Sequence, residues 1–479
     1  MTLSEDDIRR AYADRRRALE TVSPADLAAE GEQRLLAAFR RAARDVPAYA
    51  ALLRERGVRP DRIGDAEAFR EQVPVIDKQW AFGCYPLRDL CAGGTLEAIS
   101  RVYASSGHSG TFSFGVETAE DHETAAVGLE FLLDTAFGVL DRATFLINGL
   151  AMGVRITTRS LPVAETSVRP DVVLALLEEL RDDFDQFILI GDYLFLKRVL
   201  EEGTSPEPVW GDRTVHLIMG GEFIAETTRT YFAGLLGTDL DRPSGGRVLL
   251  NMGLSELGIS IFRDGDDLMR IRRAVQADRA LRYALFGEGT EVCPEILQYD
   301  PREYHVEVLG REDGDPRIAV STVDPRRVVP LMRYDTRDAG TLIAYDDMVR
   351  VLRDHGREDL RPRFRLPVAL LSGRRQEVDL GGGRSLSTND VKEALYADPD
   401  VAGQLTGFFH IIQEPGATAV RVQTRPGVEP GRKVGEKLEA SLRRCVGADV
   451  PVQPVAYRAY PHCFEPDYER KPRYIEPAT

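Results

Sequence analysis

Residues 103–115 read YASSGHSGTFSFG. Ser105, Ser106, Ser109 and Thr111 supply hydroxyls, and Gly107 and Gly110 let a ligand approach the backbone closely. Successive N–H groups and hydroxyls in such a stretch form a nest for phosphate oxygens. It is not a Walker A loop, because GK[ST] is absent and no lysine follows. A mobile surface loop would have the same composition, so both readings stand at this point.

Three further stretches carry chemistry. In NMGLSELG (251–258), Glu256 is a carboxylate that could ligate Mg²⁺ bridging to phosphates, or a surface residue capping the next turn. In RYDTRDAG (333–340), Asp335 and Asp338 are acceptors suited to paired ribose hydroxyls. Arg333 and Arg337 beside them fit a salt-bridged turn equally well. In YERKPRYIE (468–476), Lys471 lies in a polar tail of a kind usually disordered. Lysine is scarce: Lys78, Lys197, Lys392, Lys433, Lys437 and Lys471 are all there are among 62 basic residues.

The surrounding elements must position these groups. Residues 1–70 read as helices, with Leu35, Leu36, Phe39, Ala42 and Ala43 at helical spacing and Pro47 ending the run. From 142 to 258 a short apolar run, a glycine-containing turn and a helix recur, at 142–153, 185–203, 213–237 and 246–258. Such alternation predicts an α/β fold with a largely parallel sheet, whose ligand loops follow the strands' carboxyl ends. GGE (220–222) and NMGLSE fall in those loops. A β-rich subdomain is expected from about 290, and a compact α+β unit beyond the Gly- and Arg-rich junction near 373.

Composition narrows the classes. The 479 residues carry a net charge of −15, which disfavours nucleic acid and anionic membranes as partners. No apolar run reaches the roughly 18–20 residues of a membrane span, and the start lacks an apolar signal core; a cytoplasmic location is expected. Five scattered cysteines include no CxxC pair, so neither a zinc knuckle nor a disulfide framework is indicated. Serine-hydrolase chemistry lacks its G-x-S-x-G elbow.

Taken in order, these pieces resemble the adenylate-forming acyl-CoA synthetase superfamily, and more closely its phenylacetate-CoA ligase-like branch. RDVPAYAALLRERG and VPVIDKQWAF resemble the branch's amino-terminal pattern, YASSGHSGT its phosphate loop, and MGGE its Gly-Gly-Glu turn. NMGLSELG is similar to its Tyr-Gly-x-Thr-Glu element, RYDTRDAG to RYRTRD, SGRRQEV to the hinge, and ERKPR to the terminal GKxxR. The resemblance implies a 1–373 domain binding ATP and acyl substrate, and a small mobile 374–479 domain. By the same resemblance, Ser105, Ser106, Gly107, His108, Ser109, Gly110 and Thr111 would hold the phosphates of ATP. Gly221 and Glu222 would line the adenine side, and Asn251, Met252 and Gly253 the adenine and carboxylate pocket. Ser255 and Glu256 would face the phosphates and Mg²⁺, Asp338 the ribose hydroxyls with Arg374 near the same sugar, and Lys471 the carboxylate and α-phosphate. Such an enzyme adenylates a small-molecule carboxylate and passes the acyl group to CoA; a homodimer would suit the branch.

Departures qualify the second step. His108 and Ser109 replace two threonines, the loop's later proline and lysine are missing, Gln376 stands where the hinge has aspartate, and NMGLSE lacks the leading aromatic. An amine, a carrier protein or another small nucleophile is therefore an alternative acceptor, and a catalytically silent homologue a third reading. Cys293 and His305 are too few for the zinc cluster of some relatives, so no zinc is expected. Tyr193 and Phe195 suggest a flat acid if they line the pocket; as core residues they would say nothing about substrate.

Overall fold

A computed structural model of the chain describes residues 4–105, 110–242, 245–310, 315–374, 376–414, 417–461 and 467–476. Three helices open it, Glu5–Thr21, Pro24–Asp45 and Pro47–Glu55. Ser23 caps the second, Pro24 starts it, and Pro47 begins the third, where its missing N–H costs nothing. Leu35, Leu36, Phe39 and Ala42 face inward, as their spacing predicts.

A short hairpin, β1 (Arg101–Ala104) and β2 (Phe114–Glu117), flanks the Ser/Gly loop. The central sheet then builds from β3 (Thr144–Gly149), β4 (Val163–Glu165), β5 (Gln186–Asp192), β6 (Thr214–Gly220) and β7 (Val248–Leu254). These five are parallel, in the order β4-β3-β5-β6-β7. Phe187, Ile188 and Leu189 of β5 are at most 1% exposed, the sign of a strand covered on both faces. Burying each such side chain stabilises the fold by roughly 1.5–3 kcal/mol.

The sheet turns antiparallel at β8 (Gly258–Arg263) and continues through β9 (Glu295–Gln298), β13 (Val368–Gly373), β12 (Tyr334–Ile343), β11 (Arg317–Thr322) and β10 (Tyr304–Leu309). The β-rich stretch after 290 thus extends one 11-stranded mixed sheet. Arg229, fully buried on helix Glu226–Leu235, anchors the β7–β8 hairpin by donating to Val248 O (2.8 Å) and to Asp264 (2.8 Å).

Beyond β13 come a hairpin, β14 (Glu377–Gly381) and β15 (Arg384–Ser387), and helix Thr388–Leu395, whose Ser387/Asp390 capping box fixes its start. A four-stranded sheet follows, ordered β18 (Val452–Val455), β17 (Ala417–Thr424), β16 (Leu405–Glu414), β19 (Ile475–Glu476), with helix Arg432–Val446 against it. The pairing of Ile411 with Ile475 fixes the segment that carries Lys471. Among the described residues, no helix is long and apolar enough to cross a membrane.

Gly149 and Gly191 lie in register on β3 and β5. A Cβ on Gly149 would collide with the Phe195 ring, and one on Gly191 would lie 3.1 Å from it. Phe195, from helix Tyr193–Gly203, fills that slot and is 1% exposed, as is Tyr193. Both aromatics are core residues, which withdraws them as indicators of a flat acid.

Candidate active site

A cavity of about 620 Å³ lies at the carboxyl ends of the parallel strands, and helix Thr388–Leu395 and residues 471–474 contribute to its lining. Glu256 lies in the β7–β8 turn and is only 8% exposed. Its Oε1 accepts from Tyr334 OH (2.6 Å), and its Oε2 from Ser113 Oγ and Ser255 Oγ (2.9 Å each). A carboxylate has about four lone-pair sites, so three hydroxyls leave room for one more contact. Mg²⁺ is usually held by one or two carboxylates plus phosphates and water, and this donor set fits that manner of binding. Among the described residues, no three His, Cys, Asp or Glu side chains converge on a point able to hold a metal.

Ser105 also lines the cavity. Its Oγ accepts from Lys78 Nζ (3.0 Å) and from the Ser113 N–H (3.0 Å), which ties the loop's entry to its exit. Lys78 is held below the usual lysine range by loss of hydration, partly offset by Glu256. Ser106, Gly107, His108 and Ser109 lie outside the described residues. Gly110 and Thr111 stand off the cavity lining, and Thr111 donates to Gln79 Oε1 (2.8 Å).

Asn251, Met252 and Gly253 belong to β7 itself rather than to a loop. Asn251 is tied across the hairpin, donating to Ile259 O (2.7 Å) and accepting from Ser260 Oγ (2.6 Å). Gly221 follows β6 with φ +98°, and a Cβ there would lie 2.6 Å from Asp192 Oδ2. That geometry turns Glu222 into the cavity. There Glu222 meets Lys392 of helix Thr388–Leu395 and Tyr474, which precedes β19, at 2.5 and 2.7 Å.

Of the four charged residues in RYDTRDAG, only Asp338 lines the cavity. Arg333 pairs with Glu307 (2.8 Å), Asp335 with Arg317 (3.0 Å), and Arg337 with Asp77 (2.7 Å). These three are ion-paired, but in or just before strand β12 and to partners outside the motif rather than within a turn. Asp338 is 6% exposed, and burial raises its carboxyl against the pull of Arg374 and Lys471. Arg374 Nε lies 3.6 Å from Asp338, while its Nη2 donates to Thr336 O (3.1 Å).

Lys471 enters from the segment before β19. Water reaches it through the cavity, yet protein surrounds it closely enough that lost hydration pushes its ammonium below the usual range. Arg374 pushes the same way, and Glu222, Asp338 and Asp192 oppose both. Lys78, Lys392, Tyr334 and Tyr474 complete the constellation and were missed in the sequence. The scarcity of lysine was the available signal, since three of the six lysines (Lys78, Lys392, Lys471) line this one cavity.

A large mixed sheet followed by a small carboxyl-terminal β-sheet domain matches the fold of the adenylate-forming ligases. The structural comparison rests on 2-hydroxyisobutyryl-CoA ligase. In its post-adenylation state, in complex with R3-HIB-AMP, that enzyme has a TM-score of 0.65 at 13% identity, over 93% of this chain and 88% of that one. In the thioesterification state, with 2-HIB-AMP and CoA, the TM-score is 0.55 at 13% identity, over 96% and 91%. No protein-family model and no curated protein sequence matches the chain.

Proposed function

We propose that this chain is an AMP-forming ligase of the phenylacetate-CoA ligase-like kind, activating a small carboxylic acid with Mg·ATP. The observation that carries the reading is the meeting of Lys471, Asp338 and Glu256, from three distant parts of the chain, in one cavity. Residues 1–373 would bind ATP and acid, and residues 374–479 would reorient about 374–377.

In the first step a carboxylate oxygen attacks the α-phosphorus, the bond to the β-phosphate oxygen breaks, and pyrophosphate leaves. Two anions must meet, so positioned positive charge lowers the barrier. Lys471 would sit between the carboxylate and α-phosphate, where a compact ammonium fits and a planar guanidinium does not. Lys78 and Ser105 would receive the outer phosphates with the rest of the loop, Asp338 would accept from the ribose hydroxyls, and Arg374 would hold its orientation. Mg²⁺, held through Glu256 with Ser255 beside it, would neutralise phosphate charge. Gly221, Met252 and Gly253 would offer backbone to the nucleotide base. In the second step a CoA thiol attacks the acyl carbon, loses its proton, and displaces AMP. Gln376 at the hinge lines the cavity and favours, as a second reading, an amine or carrier-protein acceptor with the same first step.

Pyrophosphate release with Mg·ATP across a panel of acids, with and without CoA, tests this. Lys471→Ala should abolish release while ATP binding largely survives. Release without any thioester would point to the other acceptors, and equal activity in the Lys471→Ala variant would refute the site.

A further inference from the structure

Both oxygens of Glu222 are taken by the small domain, from two separate pieces of it. Oε2 accepts from Lys392 Nζ on helix Thr388–Leu395 at 2.5 Å, and Oε1 from Tyr474 OH, just before β19, at 2.7 Å. Lys392 also donates to Phe223 O (3.3 Å) and lies 4.9 and 5.5 Å from the ring centroids of Tyr474 and Tyr193. It is 3% exposed. Tyr474 is stacked on Phe409 of β16 with centroids 4.3 Å apart, so its height above the large domain is set from below and from the side.

Lys471 lies three residues before Tyr474, in a segment that Tyr474 and β19 anchor. A shift of Tyr474 would therefore carry the Lys471 ammonium with it. We propose that Glu222, Lys392 and Tyr474 form a clamp that fixes the small domain on the large one and so positions Lys471. These are positioning residues, acting through Lys471. The docking part of the inference is independent of chemistry; that it serves the adenylation step rests on the ligase reading above.

A buried ion pair explains why losing one clamp partner would loosen the docking. Removing one partner leaves the other charge buried and uncompensated, which is costly. Without Lys392, Glu222 would face Asp192, a like charge already felt by that carboxyl. Moving the small domain away would hydrate Glu222 and relieve that cost.

The test is hydrogen exchange over residues 388–395 and 471–475 of the full chain, with small-angle scattering, for wild type, Lys392→Met, Tyr474→Phe and Lys471→Met. Lys392→Met should raise exchange in both segments by about tenfold or more and enlarge the particle. Its pyrophosphate-release kcat should fall by about tenfold or more with a much smaller change in the KM for ATP, while CoA transfer from supplied acyl-adenylate persists. Lys471→Met should lose pyrophosphate release with exchange unchanged. Wild-type-like exchange and scattering in Lys392→Met would overturn the clamp. If that variant does not fold, Tyr474→Phe, which removes one hydroxyl, decides by the same readouts. A wild type that releases no pyrophosphate would sink the ligase reading and leave exchange to judge the clamp.

Discussion

Tyr334 donates its hydroxyl to Glu256 Oε1 across 2.6 Å, from β12 to the β7–β8 turn. With Ser113 and Ser255 on the other oxygen, it sets the direction in which the carboxylate can take a further ligand. Tyr334→Phe should raise the KM for Mg·ATP and cost about 1–3 kcal/mol in stability, read by urea unfolding. Glu256→Gln should cut pyrophosphate release by about 100-fold or more with the fold intact. Undiminished release in Glu256→Gln would remove Glu256 from the phosphate end.

Lys78 donates to Ser105 Oγ (3.0 Å) from a different part of the chain, and the ligase reading gives it the outer phosphates. Lys78→Ala should raise the KM for ATP by about tenfold while kcat changes less. Steady-state kinetics at saturating acid checks this, and an unchanged KM for ATP would contradict it.

His216 on β6 is 3% exposed. Its Nε2–H donates to Gln186 Oε1 (3.1 Å), and its Nδ1 accepts from the Arg247 N–H (3.0 Å), so the packed ring is neutral. Burial, with Arg142 and Arg247 nearby, lowers its pKa to about 3. The unfolded chain binds that proton near the usual value of about 6.5. Stability is therefore full above that pH and falls as pH drops toward 3, by roughly 2 kcal/mol at pH 5 from this group. Urea midpoints at pH 7.5 and pH 5 should show the loss, and His216→Gln should reduce the difference.

Glu393 neighbours Lys392 on the same helix but meets different partners: Gln276 Nε2 at 2.7 Å, with Arg272 and the like-charged Glu226 close by. Burial first, then Glu226, raise its carboxyl to about 7. The folded state thus favours the protonated form, and stability is lost as pH rises from the ordinary carboxylate range through 7. Glu393→Gln keeps the Gln276 contact without the charge. It should raise Tm by about 2 °C or more at pH 8 and change little at pH 4.5. A loss of Tm at pH 8 would show that the ionised carboxylate is stabilising.

The parallel half of the sheet was legible because β3, β5, β6 and β7 are short apolar runs with a glycine at or near their carboxyl ends. Local pattern suffices there, since a strand buried on both faces has few ways to be written. The Glu222 clamp was not legible, because its partners lie 170 and 252 residues away and nothing local distinguishes Lys392 or Tyr474. Asp335 and Asp338 looked alike in sequence; strand direction sends the first to Arg317 and the second to the cavity. Lys471 was found through resemblance to a family, because its own surroundings read as a polar tail. Tyr193 and Phe195 could not be sorted between pocket and core without the glycines opposite Phe195, which sit on neighbouring strands.

Those glycines bind three positions into a single heritable unit. Alanine cannot replace Gly149 while the Phe195 ring fills the slot, and a smaller residue at 195 empties it. A lineage descending from this sequence has to shrink or move the ring before Gly149 can grow, whereas Gly191 needs the ring to give way only slightly. Among related chains, Gly149, Gly191 and Phe195 should therefore be kept together or exchanged together.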